Sequence, residues 1–267
     1  MRRAKLAILA STALCMGIGP SQAATPDPWV GLYVGGNLGY SWGNTNTTTT
    51  VGSFTQTALF TFVFPGGASS TSSKPDGVIG GGQIGYVWRV APRWLAGIET
   101  DLQWSGEKNS GRSGFGGTTT NCTSGNCSYT SLADITARLN WFGTLRGRLG
   151  YEWNGLWVYG TGGLAYGNVS ISGANTLLLI NNNGGAIVGV YSTPFSYSST
   201  RVGVAVGAGI EGLLGRYWRW KLEYLHIDLG SIGGGTFGGV PLVTVNTGRF
   251  TDEILRFGFN YRFTYGP

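Results

Sequence analysis

From Leu255 to Phe263 the chain alternates. Leu255, Phe257, Phe259, Tyr261 and Phe263 are apolar or aromatic, and Arg256, Gly258, Asn260 and Arg262 separate them. Side chains of a strand point to opposite faces with period two, so one face is a row of apolar groups and the other is polar. Seven further segments carry the same period. In 29–43, Val30, Leu32, Val34, Leu38, Tyr40 and Trp42 oppose Tyr33, Asn37 and Ser41. In 78–90, Ile84, Tyr86 and Trp88 oppose Gln83 and Arg89; in 94–104, Trp94, Ala96, Ile98, Leu102 and Trp104 oppose Glu99, Asp101 and Gln103. A fourth segment ends at Tyr151, with Trp141, Leu145 and Leu149 against Thr144, Arg146 and Arg148. In 156–167, Leu156, Val158, Leu164 and Tyr166 oppose Tyr159 and Thr161, and in 201–212, Val202, Val204, Val206, Ala208 and Ile210 oppose Arg201 and Glu211. In 218–228, Trp218, Trp220, Leu222 and Tyr224 oppose Arg219, Lys221 and Glu223.

The connections alternate in length. Those around Pro92, Asn154-Gly155 and Gly215 are short, whereas 44–77, 105–131, 168–199 and 230–249 are long and rich in Gly, Ser, Thr and Asn. Alternating segments of roughly ten residues, apolar outward and polar inward, with short turns on one side and long loops on the other, are what an outer-membrane barrel requires. The expected fold class is therefore all-β: a closed eight-stranded antiparallel transmembrane β-barrel with short periplasmic turns and four long extracellular loops. An even strand count puts both termini on the periplasmic side. Asn-Gly favours the tight type I′ hairpin, and centring that turn on Asn154-Gly155 sets Gly150 opposite Tyr159 and Arg148 opposite Thr161. Around Gly215 the parity of the flanking strands predicts Glu211 opposite Arg219.

Composition agrees with a lipid-facing protein. Charged residues make up 11% of the chain and there are 48 glycines and 10 tryptophans, against about 25% charged and ~7% glycine in soluble domains. Residues 1–23 read as a cleaved secretory signal, cut after Ala23 or Ala24: Arg2, Arg3 and Lys5 precede the apolar run Leu6 to Ile18. Without those three cations the formal charge of +6 falls to about +3 over 24–267, which is no nucleic-acid footprint. Cys122 and Cys127 then remain as the thiols of an exported chain and are expected to form a disulfide.

Several motifs resemble those of a known family. Trp141-Phe142-Gly143-Thr144-Leu145-Arg146-Gly147-Arg148-Leu149-Gly150-Tyr151 is similar to the fourth-strand motif of the small proteobacterial outer-membrane β-barrels, the "porin family" of surface antigens, akin in architecture to the OmpA membrane domain. The segments 159–167, 207–211, 221–225 and 260–263 resemble its later strands. The resemblance implies an eight-stranded surface-antigen barrel, with haem binding in some members. It also implies an aromatic end read by the barrel-assembly machinery; here Phe263 and Tyr265 are the expected residues.

The inward charges are the main candidate site. Glu99, Asp101, Glu211 and Glu223 would share a lumen with Arg146, Arg148, Arg219, Lys221, Arg256 and Arg262, and an unpaired buried charge costs several kcal/mol. A structural plug is expected, with a carboxylate pair for acid–base chemistry as the alternative. Gly80-x-Gly82-x-x-Gly85 and Gly207-x-Gly209-x-x-Gly212 match a dinucleotide fingerprint in form, but no helical period follows either. Their better reading is space for Tyr33, Tyr159 and the arginines. His226, the single histidine, falls on the lipid face. The expected function is a non-enzymatic integral outer-membrane protein with a structural and surface-antigen role. It needs no cofactor and no metal, touches membrane lipid and lipopolysaccharide, and is monomeric, with no readable loop ligand. The alternatives are a narrow channel for ions or small solutes, then a haem-binding or lipid A-modifying barrel.

Overall fold

The computed structural model describes residues 27–57, 61–123, 125–238 and 240–263. Residues 1–23, read above as a cleaved signal, therefore lie outside the described residues. Twelve strands follow one another: β1 (Gly31–Val51), β2 (Phe54–Gln56), β3 (Phe62–Phe64), β4 (Gly67–Ser73), β5 (Asp76–Ala91), β6 (Trp94–Ser105), β7 (Lys108–Thr119), β8 (Cys127–Trp153), β9 (Leu156–Asn181), β10 (Ala186–Leu214), β11 (Trp218–Phe237) and β12 (Val243–Arg262). Antiparallel pairing runs β1–β12–β11–β10–β9–β8–β6–β5 and returns from β5 to β1, closing a ring of eight. Closure leaves no open edge in lipid, where each unpaired backbone group would cost several kcal/mol.

Aromatic side chains mark where the ring crosses the membrane. Trp88, Trp94, Tyr151, Trp153 and Trp218 face outward at the end of the short turns, and Trp42, Trp104 and Tyr224 face outward at the other. The band between Trp141 and Tyr151 is about 33 Å long at ~3.3 Å per residue, or about 25 Å along the normal at a tilt of ~40°.

The expected barrel is present, but it does not stop there. Most of the four segments read as long loops continue as strand, with β8, β9 and β10 running well past the outer girdle. Where β5 and β6 end, at Lys74-Pro75 and Gly106-Glu107, β4 takes over beside β1 and β7 beside β8. β4 and β7 meet through Ser69 and Ser113, whose hydroxyl oxygens are 3.2 Å apart. Thr- and Ser-rich alternation suits strands well when one face is buried, and here the buried face is apolar. Ala133, Ile135, Leu139, Val169, Ile171, Leu177, Val243, Val245 and Phe250 belong to a core inside this upper barrel. The β2–β3 hairpin packs on that core, with Phe64 against Phe54 (5.6 Å between ring centres) and edge-on to Tyr129 (5.1 Å). The expected Cys122–Cys127 disulfide is formed. It ties β8 to a loop that bridges back to Phe62 of the hairpin.

Candidate functional site

The tight turn places the site on β8 and β9. Asn154 (φ 50°) and Gly155 (φ 76°) adopt the left-handed conformation of a type I′ hairpin, and Gly150 pairs with Tyr159 and Arg148 with Thr161 as expected. The β10–β11 turn differs. Residues 215–217 form a three-residue loop, so Leu213 faces Arg219 and Glu211 faces Lys221. Parity survives this shift of two residues, so every charge still points inward.

Nine of the ten predicted lumen charges come together. Glu99 accepts from Arg146 Nη2 (2.7 Å), Lys221 Nζ (3.0 Å) and the Tyr33 hydroxyl (2.7 Å). Glu223 accepts from Arg256 Nη2 (2.6 Å), Arg146 Nη1 (3.1 Å) and the Tyr159 hydroxyl (2.9 Å). Asp101 Oδ2 takes Arg256 Nη2 and the Thr144 hydroxyl, each at 2.8 Å. Glu211 pairs with Arg148, and its second oxygen lies 3.7 Å from Arg219. Arg148 is also stacked over Trp157 at 4.6 Å from the ring centre, and Arg219 over Tyr33 at 5.0 Å. All nine side chains are buried. Four carboxylates face five cations, so the network is close to neutral and each acid has a guanidinium or ammonium partner.

Arg262 is the exception. It donates to the backbone carbonyls of Asp27 and Val30, both at 3.0 Å, and to that of Arg216 at 3.4 Å. It therefore holds the chain at the short-turn end rather than joining the carboxylates. Arg89 acts nearby, paired with Asp27 and with Glu152 (2.7 Å).

The glycine motifs lie inside strands β5 and β10, with no helix after them. A Cβ on Gly85 would stand 2.2 Å from the Tyr33 hydroxyl, and one on Gly209 would stand 2.5 Å from that of Tyr159. The two rings that bond the network thus occupy volume that those glycines leave open. His226 faces outward, as its parity predicts, with Nδ1 2.7 Å from Glu253. Phe263 is exposed on the outer wall, its backbone NH bonded to Leu32 at 2.9 Å. Tyr265 lies outside the described residues.

Sequence reasoning passed over a second acidic pair. Beyond the outer girdle, Glu107 and Asp252 are buried together, with the Ser41 hydroxyl 2.5 Å and the Ser105 hydroxyl 3.0 Å from Glu107. Burial pushes the Glu107 carboxyl up to about 7, the two hydroxyls offset this in part, and burial with Glu107 beside it raises Asp252 as well. Glu107 sits in the two-residue gap between β6 and β7, outside any alternating run, and Asp252 shares the inward face of β12 with Phe250 and Ile254, so neither shows a period that points to the other.

A match over residues 11–263 assigns the chain to a family described as the outer membrane protein beta-barrel domain. The chain belongs to that family. A "31 kDa outer-membrane immunogenic protein" of Brucella melitensis is 30% identical over 273 residues, covering 96% of both chains. A "22 kDa outer membrane protein" of Rhizobium leguminosarum is 28% identical over 150 residues, 55% of this chain and 52% of that one. Among solved structures, the outer membrane protein OprG of Pseudomonas aeruginosa aligns at TM-score 0.36 and 14% identity, over 88% of this chain and 97% of that one. The outer membrane protease OmpT of Escherichia coli aligns at 0.39 and 10%, over 91% and 99%. This family member is an outer-membrane β-barrel protein, and the porin-family resemblance of its strands is borne out.

Proposed function

We propose that this outer-membrane barrel is a closed, non-enzymatic surface protein that holds a rigid, strand-built wall outside the cell and contributes to envelope integrity. The observation that carries the reading is two plugs in series. The membrane part of the lumen is filled by the paired charges, and the part above it by an apolar core under the β2–β3 hairpin. Ions crossing would have to break the first and then cross the second, whose core is apolar. Relatives named as immunogenic outer-membrane proteins support surface display. In this reading the termini are periplasmic, the protein is monomeric and delivered by the barrel-assembly machinery, and lipid and lipopolysaccharide surround it.

Planar-bilayer recording tests closure: no resolved steps are expected from the wild-type protein. Steps that vanish on Arg148→Gln would replace this reading with the narrow channel. Orientation is tested on intact cells with a membrane-impermeant thiol reagent. Cys122 and Cys127 should react only after a reductant is added; reaction confined to broken cells would invert the barrel.

A further inference from the structure

We propose that the outer wall where β7 begins beside β8 carries a binding site for the phosphate groups of the outer-leaflet glycolipid, lipopolysaccharide, centred on Lys108 and Arg138. The proposal rests on the orientation given above.

Lys108 and Arg138 are direct cross-strand partners and both are exposed. Like charges directly opposite one another in a sheet are destabilising. Four residues further up, the equivalent position is complementary: Arg112 pairs with Asp134, which accepts from its Nη2 at 3.0 Å and from its Nε at 2.5 Å. Neither Lys108 nor Arg138 has a carboxylate partner among the described residues. Asp76, across from Lys108 in the sheet, accepts the Tyr40 hydroxyl. Arg138 faces Ser170 on its other side. Lys74, exposed and on the outward face two residues from Asp76, adds a third unpaired cation. An anion lying between Lys108 and Arg138 would turn the repulsion into two charge-assisted contacts, and a guanidinium suits phosphate geometry.

The height is right for a lipid phosphate. Trp104 and Trp141, directly paired, belong to the outer girdle. Lys108 lies four residues beyond, about 13 Å along the strand and roughly 10 Å along the normal at a tilt of ~40°. At that level the outer face turns from apolar to amide and hydroxyl. Asn140 donates to Asn168 (2.7 Å), and Asn168 donates to Thr200 (3.2 Å). That belt suits a sugar headgroup better than acyl chains. Below it, Gly82, Ile84, Thr100, Leu102 and Tyr166 line a shallow apolar groove on the membrane face, where an acyl chain of the same glycolipid could lie.

The test uses the full-length barrel in detergent, free of lipid, and reads the midpoint of its heat-modifiable gel shift. Lipopolysaccharide with bisphosphorylated lipid A should raise the wild-type midpoint. For K108Q/R138Q the half-saturating concentration should rise about thirtyfold, at ~1 kcal/mol for each cation beside an anionic surface. Without lipid the same variant should melt at or above the wild-type midpoint, since the repulsion is gone; this separates lost binding from lost folding. R216Q, at the short-turn end, should respond like wild type. The site is overturned if K108Q/R138Q responds like wild type, if R216Q is equally impaired, or if dephosphorylated lipopolysaccharide works as well. Sodium pyrophosphate alone giving the full shift would make this a site for free phosphate and overturn the lipid assignment. Loss of response in R216Q with retention in K108Q/R138Q would place the glycolipid at the other end and overturn the orientation.

Discussion

Strand β9 runs through two regions without changing its parity, and its two halves obey opposite rules. Below Gly167 the inward residues are Tyr159 and Thr161 and the outward ones Val158, Leu164 and Tyr166; above it the inward residues are Val169, Ile171 and Leu177 and the outward ones Asn168, Ser170 and Ser172. In the lower half, lipid surrounds the barrel and polar groups satisfy one another inside. In the upper half, water surrounds it and the apolar groups retreat inside, as in any soluble sheet. One barrel thus joins end to end a half patterned like a membrane protein and a half patterned like a soluble sheet. The inside of each half is dictated by what lies outside.

The comparison breaks most clearly in the lower half. Glu223→Leu leaves Arg146 and Arg256 buried and short of an acceptor, at a cost of roughly 3–5 kcal/mol. Leu102→Ala, on the lipid face at 44% exposure, removes a side chain whose space lipid refills, and its cost is expected below ~1 kcal/mol. Chemical unfolding in micelles should rank them in that order. The reverse order would mean that the charges do not plug the lumen.

In the upper half the sensitive position is apolar. Leu177→Ala empties part of a fully enclosed core and should cost roughly 3 kcal/mol. Because that region is a distinct cluster, protease should nick β8–β10 beyond the girdle while the membrane ring keeps its heat-modifiable migration. A variant as protease-resistant as wild type would show that the upper wall stands on its backbone ladder alone.

The smallest effect is expected at the seam between the halves. The Glu107 carboxyl lies at about 7 in the folded protein, above its ordinary value of 4.5, so the folded state binds the extra proton between those values. Stability is then fully present below about 4.5 and declines as pH rises through 7. Asp252, Asp76, Ser41 and Ser105 face the group. Glu107→Gln should flatten the pH 5–7 slope of the unfolding midpoint and raise stability at pH 8. An unchanged slope would assign it to Asp252 or to other groups.

Much of this was legible along the chain, for definite reasons. The period of two is local, so the inward and outward sets of the membrane strands could be read residue by residue. Asn154-Gly155 set its own hairpin register, because only residues tolerant of positive φ make that turn. Even the glycines opposite Tyr33 and Tyr159 could be anticipated from crowding in a narrow barrel.

The upper barrel was hidden because alternation says which residues share a face but not which solvent that face meets. Thr- and Ser-rich segments look like loops until an apolar interior appears between them. On β8 the register shift between Leu139 and Trp141 adds a further obstacle: inward residues are odd-numbered above it and even-numbered below. A bulge leaves no mark in composition. The remaining choices were made in three dimensions. Arg262 and Arg256 lie on one strand with the same parity, yet Arg256 meets carboxylates and Arg262 meets carbonyls, because only Arg256 sits at the level where Glu223 and Asp101 converge. The meeting of Lys108 with Arg138, and of Glu107 with Asp252, likewise depends on strands far apart in the chain. Which residues face the same way is a property of the sequence. Which of them meet, and whether water, lipid or protein lies beyond, is decided by how the ring closes.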